Sequence, residues 1–333
     1  MRTSAIALLS VVLTACGGVD AAPAPTATPE ADHGPWVLFQ QDAGARYEVA
    51  MVHADGTGLV APVAEVGHGH QTNPDWDPSG EHIVFVMNDG ERDDLWIADA
   101  DGSHPRMLLD CRGSCRWLDD PAWSPDGTRV AYSRGSERAG KGHDALETVD
   151  VRTGEVTVLR EGTPLDFTAG VRWSPDGTYV VFELVHTVEQ DLESDLDGVT
   201  LTVMPVDRSA GPERSLTDPL LYAATADWSS DGTRIVYSAL PTADAEAPDL
   251  FTVAPTGGTP ARVTTVADHG GFAAEPTWLP DGSGLLFSGL LSGSGSSQLL
   301  AVDADGTDVR SAFPDRDVLG RHPRVQPAVT PGG

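Results

Sequence analysis

The side chains able to do chemistry fall in short loops that recur along the chain. Gly67-His68-Gly69-His70 sets two imidazoles in a glycine-flanked loop. Imidazole nitrogen is a common ligand of divalent metals, and His70, His269 and His322 would make a three-nitrogen set if the fold gathered them. Comparable loops offer Asp75, then Asp119 and Asp120, Asp166 and Arg172, Asp227, Asp268 with Glu275, and Arg321 with Arg324. Mixed charges of this kind line a polar pocket or pair with one another across neighbouring elements. No nucleophile–base pair can be assigned, and no Gly-x-Ser-x-Gly elbow occurs. The acidic run Asp191–Gly198 fails as a calcium loop: counted from Glu193, the terminal bidentate position falls on Met204.

What must position these loops is a repeat. Trp-Ser-Pro-Asp-Gly stands whole at Trp123–Gly127 and Trp173–Gly177, and altered copies occur at Trp76–Gly80, Trp228–Gly232 and Trp278–Gly282. The tryptophans are 47, 50, 55 and 50 residues apart, and nine residues after each comes an aromatic: Phe85, Tyr132, Phe182, Tyr237, Phe287. Proline presets φ for a turn and glycine takes the φ > 0 position, so each pentapeptide closes an antiparallel hairpin. Apolar, β-branched stretches of period 2 follow, enough for four strands per unit. The segment Trp36–Ala64 lacks an opening strand, whereas His322–Pro327 is an opening strand with nothing after it. Val325 lies 47 residues beyond Trp278, in register. The expected fold is therefore all-β: a six-bladed β-propeller of four-stranded antiparallel blades, closed by the C-terminal strand pairing into the N-terminal blade. The loops before the opening strands then ring one mouth of the channel. That makes His68, His70, Asp75, Asp120, Arg172, Asp227, His269, Glu275, His322 and Arg324 the candidate binding residues.

These repeats resemble the TolB-type, WD-repeat-like β-propellers, whose blades carry Pro-x-Trp-Ser-Pro-Asp-Gly, an apolar-aromatic strand, and a strand ending in Asp-x-Asp-Gly. Asn73–Met87 and Asp120–Ser133 match the first part; Leu95–Gly102 and Leu299–Gly306 match the second. The resemblance spans residues 35–328 and implies a fold more than a function, because its residues make turns and core. It departs from TolB, which has an α/β domain ahead of the propeller, and from prolyl peptidases, which attach an α/β-hydrolase domain. Related pectate-type lyases hold a divalent metal with channel histidines. That makes a metal-dependent enzyme acting on a glycan the alternative to a non-enzymatic module.

At the N-terminus, Arg2 precedes a short apolar run that ends in Leu13-Thr14-Ala15-Cys16. The run is too short to span a bilayer and reads as a secretory signal, residues 1–15. The tetrapeptide resembles a bacterial lipobox, which implies lipidation of Cys16. Residues 16–34 read as an Ala/Pro/Thr tether, and residues 329–333 as a tail. Cys111 and Cys115 are an even pair in an exported chain and are expected to form a disulfide. The formal net charge is −29, from 50 acidic and 21 basic residues, which argues against nucleic acid as a partner. Taken together, these features predict a monomeric lipoprotein anchored in a membrane and facing the periplasm or cell exterior. Its propeller would bind or scaffold an envelope protein or peptide without a cofactor.

Overall fold

In each repeat the turn is locked by its own polar side chains. Ser124 Oγ donates to Asp126 Oδ1 (2.6 Å) and accepts the Arg129 amide (3.0 Å), while Asp126 Oδ1 accepts the Thr128 amide and hydroxyl. Ser174 with Asp176, and Ser229 with Asp231, repeat the arrangement. At Trp76–Gly80 the two residue types are exchanged and the contact survives: Ser79 Oγ donates to Asp77 Oδ2 at 2.6 Å, and Asp77 Oδ1 takes the Glu81 and His82 amides. The turn glycines have φ of 69–71°, the left-handed region that a Cβ disfavours. Gly127, Gly177 and Gly232 face Pro78, Pro125 and Pro175 of the preceding turns, so the hairpins stack around the ring.

The computed structural model describes residues 33–328, apart from 114, 139–140, 164, 188–195, 293–295 and 317. The expected signal, Cys16, the tether to residue 32, the tail from 329 and residues 191–195 of the acidic run lie outside the described residues. The strands form six sheets, and the only helices among the described residues are three short 3-10 turns. Blade 2 runs through His70–Trp76, His82–Asn88, Asp93–Asp99 and Arg106–Leu109. Blades 3 to 6 repeat this order, opening on Cys115–Trp123, Asp166–Trp173, Ala224–Trp228 and Phe272–Trp278. Each opening strand is the innermost of its blade and neighbours the next around the axis.

Blade 1 is built from both ends of the chain. Arg321–Val325 is its inner strand, paired antiparallel with Trp36–Asp42, which pairs in turn with Tyr47–His53. Its fourth strand is reduced to a single bridge between Met51 and Val60. The rest of that outer edge is covered by side chains of blade 2: His70 Nδ1 accepts the Tyr47 amide (3.2 Å) and Gln71 Oε1 the Val49 amide (3.3 Å). An uncovered edge would invite pairing with another chain.

The core lies between blades. Six clusters of buried apolar side chains each draw on two successive blades, as where Leu38 and Met51 of blade 1 meet Trp76 and Phe85 of blade 2. Phe39 and the five predicted aromatics are all at most 2% exposed, which places the N-terminal segment in register with the rest. At the boundary of blades 6 and 1, Val325 stands where the other blades carry tryptophan. An apolar groove of about 540 Å³, walled by Pro35, Leu279, Pro280, Phe313 and Val325, opens there.

Gln326 stitches the closure. Its amide donates to Trp36 O (2.7 Å), its Oε1 accepts the Trp36 amide (3.2 Å), and its Nε2 donates to Gly80 O (2.9 Å). Gln326→Ala loses both side-chain bonds and should cost about 1–2 kcal/mol, read as a lower midpoint in urea denaturation. An unchanged midpoint would show that the latch does not limit stability.

Candidate functional site

The inner strands carry a second repeat. Three residues ahead of each tryptophan position stands Asn73, Asp120, Gly170, Thr225, Glu275 or His322, each with φ between 49° and 59°. At these left-handed positions the register to the second strand shifts in every blade. In four blades a side chain of the neighbouring blade accepts the bulge amide, whereas the Asp120 amide turns to Asp119 Oδ1 of its own strand (3.0 Å). Asp120 Oδ2 takes the Gly170 amide (2.9 Å), Thr225 Oγ1 the Glu275 amide (3.1 Å), and Glu275 Oε2 the His322 amide (3.0 Å). His322 Nε2 also lies 3.2 Å from Glu275 Oε1.

Gly170 has no side chain to offer, and the second strand of its blade supplies one. Glu183 Oε1 accepts the Thr225 amide at 2.6 Å, and a Cβ on Gly170 would lie 2.3 Å from that same oxygen. Asn73 joins its neighbour in another way, donating its side-chain amide to Asp119 and, at 3.1 Å, to Asp120 Oδ1. Five of the six blade boundaries are bridged by these contacts. Among the described residues no hydrogen bond joins His322 to Asn73, and at that boundary a cavity of about 470 Å³ opens. Tyr47, His70, Asn73, Asp93, Trp117, Asp119 and His322 help to line it, with no Lys or Arg among its walls.

This upper tier is acidic and partly protonated near neutral pH. Burial, reinforced by the Asp120 charge, pushes Asp119 up to about 8. Burial, again with Asp120 beside it, pushes Glu183 up to about 7. Burial also raises Asp93, against a hydrogen bond from Asn88.

A lower tier lies nearer the turns. Asp75 Oδ2 accepts the Trp123 amide (2.9 Å), and Asp227 Oδ2 accepts the Trp278 amide (2.8 Å) and the Thr277 hydroxyl (2.9 Å). Arg324 Nε approaches Asp75 Oδ1 at 3.8 Å. Burial pushes Asp75 and Asp227 each up to about 6, against the nearby Arg172 charge and the hydrogen bonds they accept.

Of the predicted residues, Asp75, Arg172, Asp227 and Arg324 meet in the lower tier, and Asp120, Glu275, His322 and His70 stand in or beside the upper one. His68 and His269 are exposed and line neither cavity. The three-histidine metal set is not assembled: His269 sits on the short turn Ala267–His269 outside the channel lining, His70 Nδ1 is engaged by a backbone amide, and His322 faces Glu275. Among the described residues no three His, Cys, Asp or Glu side chains converge as metal ligands.

Glu183, Asp93 and Asp119 are members that the candidate set omits. Glu183 had a signal: it stands where the other copies carry Val86, Ser133, Ser238 and Ser288, in the one blade whose bulge residue is glycine. Asp166, His186 and Thr200 form a further relay, with His186 Nδ1 2.9 Å from Asp166 Oδ1 and Nε2 2.6 Å from Thr200 Oγ1. Thr200 is 4% exposed and also donates to Leu184 O, so the relay ties strands together rather than presenting a nucleophile. Cys111 and Cys115 are disulfide-bonded at the start of the strand that carries Asp119, Cys115 being its first residue.

Residues 48–283 match the family model described as the lipoprotein LpqB β-propeller domain. An uncharacterized protein of Agrobacterium fabrum is 29% identical over 113 residues, 30% of this chain and 36% of its own length. The Tol-Pal system protein TolB of Bordetella pertussis is 42% identical over 50 residues, 15% of this chain and 11% of its own. The chain therefore spans only about a third or less of these two relatives. The crystal structure of TolB from Acinetobacter baumannii superposes with a TM-score of 0.68 over 89% of this chain and 68% of that one, at 17% identity, a likeness of fold.

A carboxyl raised in the folded state favours the protonated form, so its contribution to stability is present below the unfolded value and lost as pH rises through the folded one. For Glu183 that window runs from 4.5 to about 7. Across it, Glu183→Gln should flatten the fall in urea midpoint relative to the wild-type chain. Parallel pH dependences in the two proteins would show that Glu183 does not titrate there.

Proposed function

Because the chain belongs to the family of the lipoprotein LpqB β-propeller domain, we propose that it is an exported lipoprotein, anchored through Cys16, whose propeller binds another envelope protein without catalysing a reaction. The observation that carries the binding site is the acid-lined cavity at the boundary between blades 1 and 2. Asp93 and Asp119, with no Lys or Arg among the described walls, favour a cationic group such as a lysine or arginine presented on a loop or peptide, whose charge would draw the proton from Asp119 on binding. Tyr47 and Trp117 flank the mouth and supply aromatic surface for that side chain to lie against. The lipoprotein description of the family and the resemblance to a protein of the Tol-Pal system support a protein partner in the envelope.

The absence of an assigned catalytic set among the described residues favours binding over chemistry. The Asp166–His186–Thr200 relay is buried at its hydroxyl, and the channel carboxylates are engaged in holding amides.

Two experiments test this. Cys16→Ser should move the protein from the membrane fraction to the soluble fraction; unchanged membrane retention would remove the anchor. In pull-downs from native envelopes, the double variant Asp93→Asn, Asp119→Asn should capture the partner about tenfold less well, and ~0.5 M salt should weaken capture by the wild-type chain. Capture indifferent to both the charges and the salt would place the binding face elsewhere.

A further inference from the structure

The lower tier holds donors that nothing among the described residues accepts. Followed around the axis, its inward residues are Asp75, Ala122, Arg172, Asp227, Thr277 and Arg324, one per blade. In a ring of six, arginine therefore stands opposite arginine and aspartate opposite aspartate. Both arginines are 8% exposed, and both line one cavity of about 200 Å³ between the tryptophans and the turn prolines.

Each guanidinium is fixed by its own strand. Arg172 Nη1 donates to Val171 O (2.6 Å), and Arg324 Nη1 donates to Pro323 O (2.8 Å). The Nε–H of each is buried and has no acceptor among the described residues. The aspartates do not answer them, since Asp75 and Asp227 direct Oδ2 at backbone amides of the next blade. The closest approach, Arg324 Nε to Asp75 Oδ1, is 3.8 Å, an ion pair beyond hydrogen-bond length. A buried donor left without a partner costs about 1–3 kcal/mol, and native structures fill such places with an acceptor.

We propose that the lower tier is a binding site for a small oxyanion, a carboxylate-sized acceptor held between the Nε–H groups of Arg172 and Arg324. The guanidinium fork matches two oxygens of such a group and forms charge-assisted bonds. With all four groups ionised the tier is neutral and the anion gains little from charge. Protonation of Asp75 and Asp227, which burial has pushed up to about 6, makes it positive. The remaining ionisable neighbours are Asp77, lowered despite its burial by hydrogen bonds from Ser79 and His82, and Glu183, which feels the Arg172 charge from the upper tier. Asp77, paired with His82 at 3.2 Å, is held ionised, whereas Glu183 loses its negative charge on mild acidification and adds to the effect of Asp75 and Asp227. Affinity for the anion therefore rises as pH falls through about 6.

The test is a titration of the full chain, labelled with ¹⁵N-arginine, with sodium formate at constant ionic strength, at pH ~5 and ~7.5. The Nε–H resonances of Arg172 and Arg324 should shift together and saturate, with affinity at least about tenfold tighter at the lower pH. Arg172→Lys, which keeps the charge but loses the Nε–H, should abolish the saturable shift at Arg324. Should that variant fail to fold, Asp227→Asn serves instead: it leaves the tier with one positive charge in excess and should bring tight binding up to the higher pH. Shifts that grow linearly without saturating, or a saturable shift indifferent to both substitutions, would mean water alone fills the cavity and would overturn the site.

Discussion

The whole ring hangs on one antiparallel pairing between residues almost three hundred positions apart. Val37 pairs with Val325 and Leu38 with Arg324, and Trp76 Nε1 donates to Arg324 O, so the last strand is held by the first blade and by the second. No blade has a core of its own. Each buries its apolar faces against two neighbours, so opening any boundary exposes two sheets at once. Closure turns a row of hairpins into a cooperative body, and it also defines the channel that most of the candidate site residues line or adjoin, His68 and His269 excepted.

Within the channel, the left-handed bulges convert a stacking problem into a binding surface. A bulge on each inner strand frees an amide from its own ladder, and in four blades an acceptor from the neighbouring blade meets it. Carboxylates suit that task, because an ionised oxygen accepts an amide more strongly than a neutral one. The cost is electrostatic: Asp119, Asp120, Glu183 and Glu275 are gathered where water is scarce, and two of them hold their protons into the neutral range. Structural demand thus gathers acid next to the open boundary, where Asp119, raised in part by the Asp120 charge, lines the cavity with Asp93. The lower tier answers the same demand with aspartates but sets two arginines between them, and so stays neutral.

Glycine at position 170 shows how the ring tolerates variation. The missing side chain is replaced from the adjacent strand by Glu183, whose carboxylate fills the space a Cβ would take. The acceptor is conserved in position although the residue supplying it has moved along the sequence by thirteen places. Exchange of serine and aspartate between Asp77 and Ser79 is the same phenomenon at a turn.

Turns, strand periods, blade number and the latch were all readable from the amino-acid order, because each rests on short-range chemistry repeated at a nearly constant interval. Trp-x-Pro-x-Gly states its own hairpin, and Val325 declares its place by lying in register. The disposition of the site was legible only in part. Asp75, Arg172, Asp227 and Arg324 could be found by counting back from the tryptophans, whereas the choice among histidines could not: His68, His70 and His269 look alike in sequence, and only the fold sends His70 to the cavity and the others to solvent. Glu183 and Asp93 lie on second and third strands, away from the loops to which counting back from the tryptophans leads. What the chain alone determined is the turns and the repeated blade, since those depend on residues near in sequence, and the latch, because its strand keeps the same interval. Which boundary stays open, which carboxyls keep a proton and which arginines lack an acceptor were decided by tertiary structure, because each depends on groups about fifty residues apart meeting at a common axis.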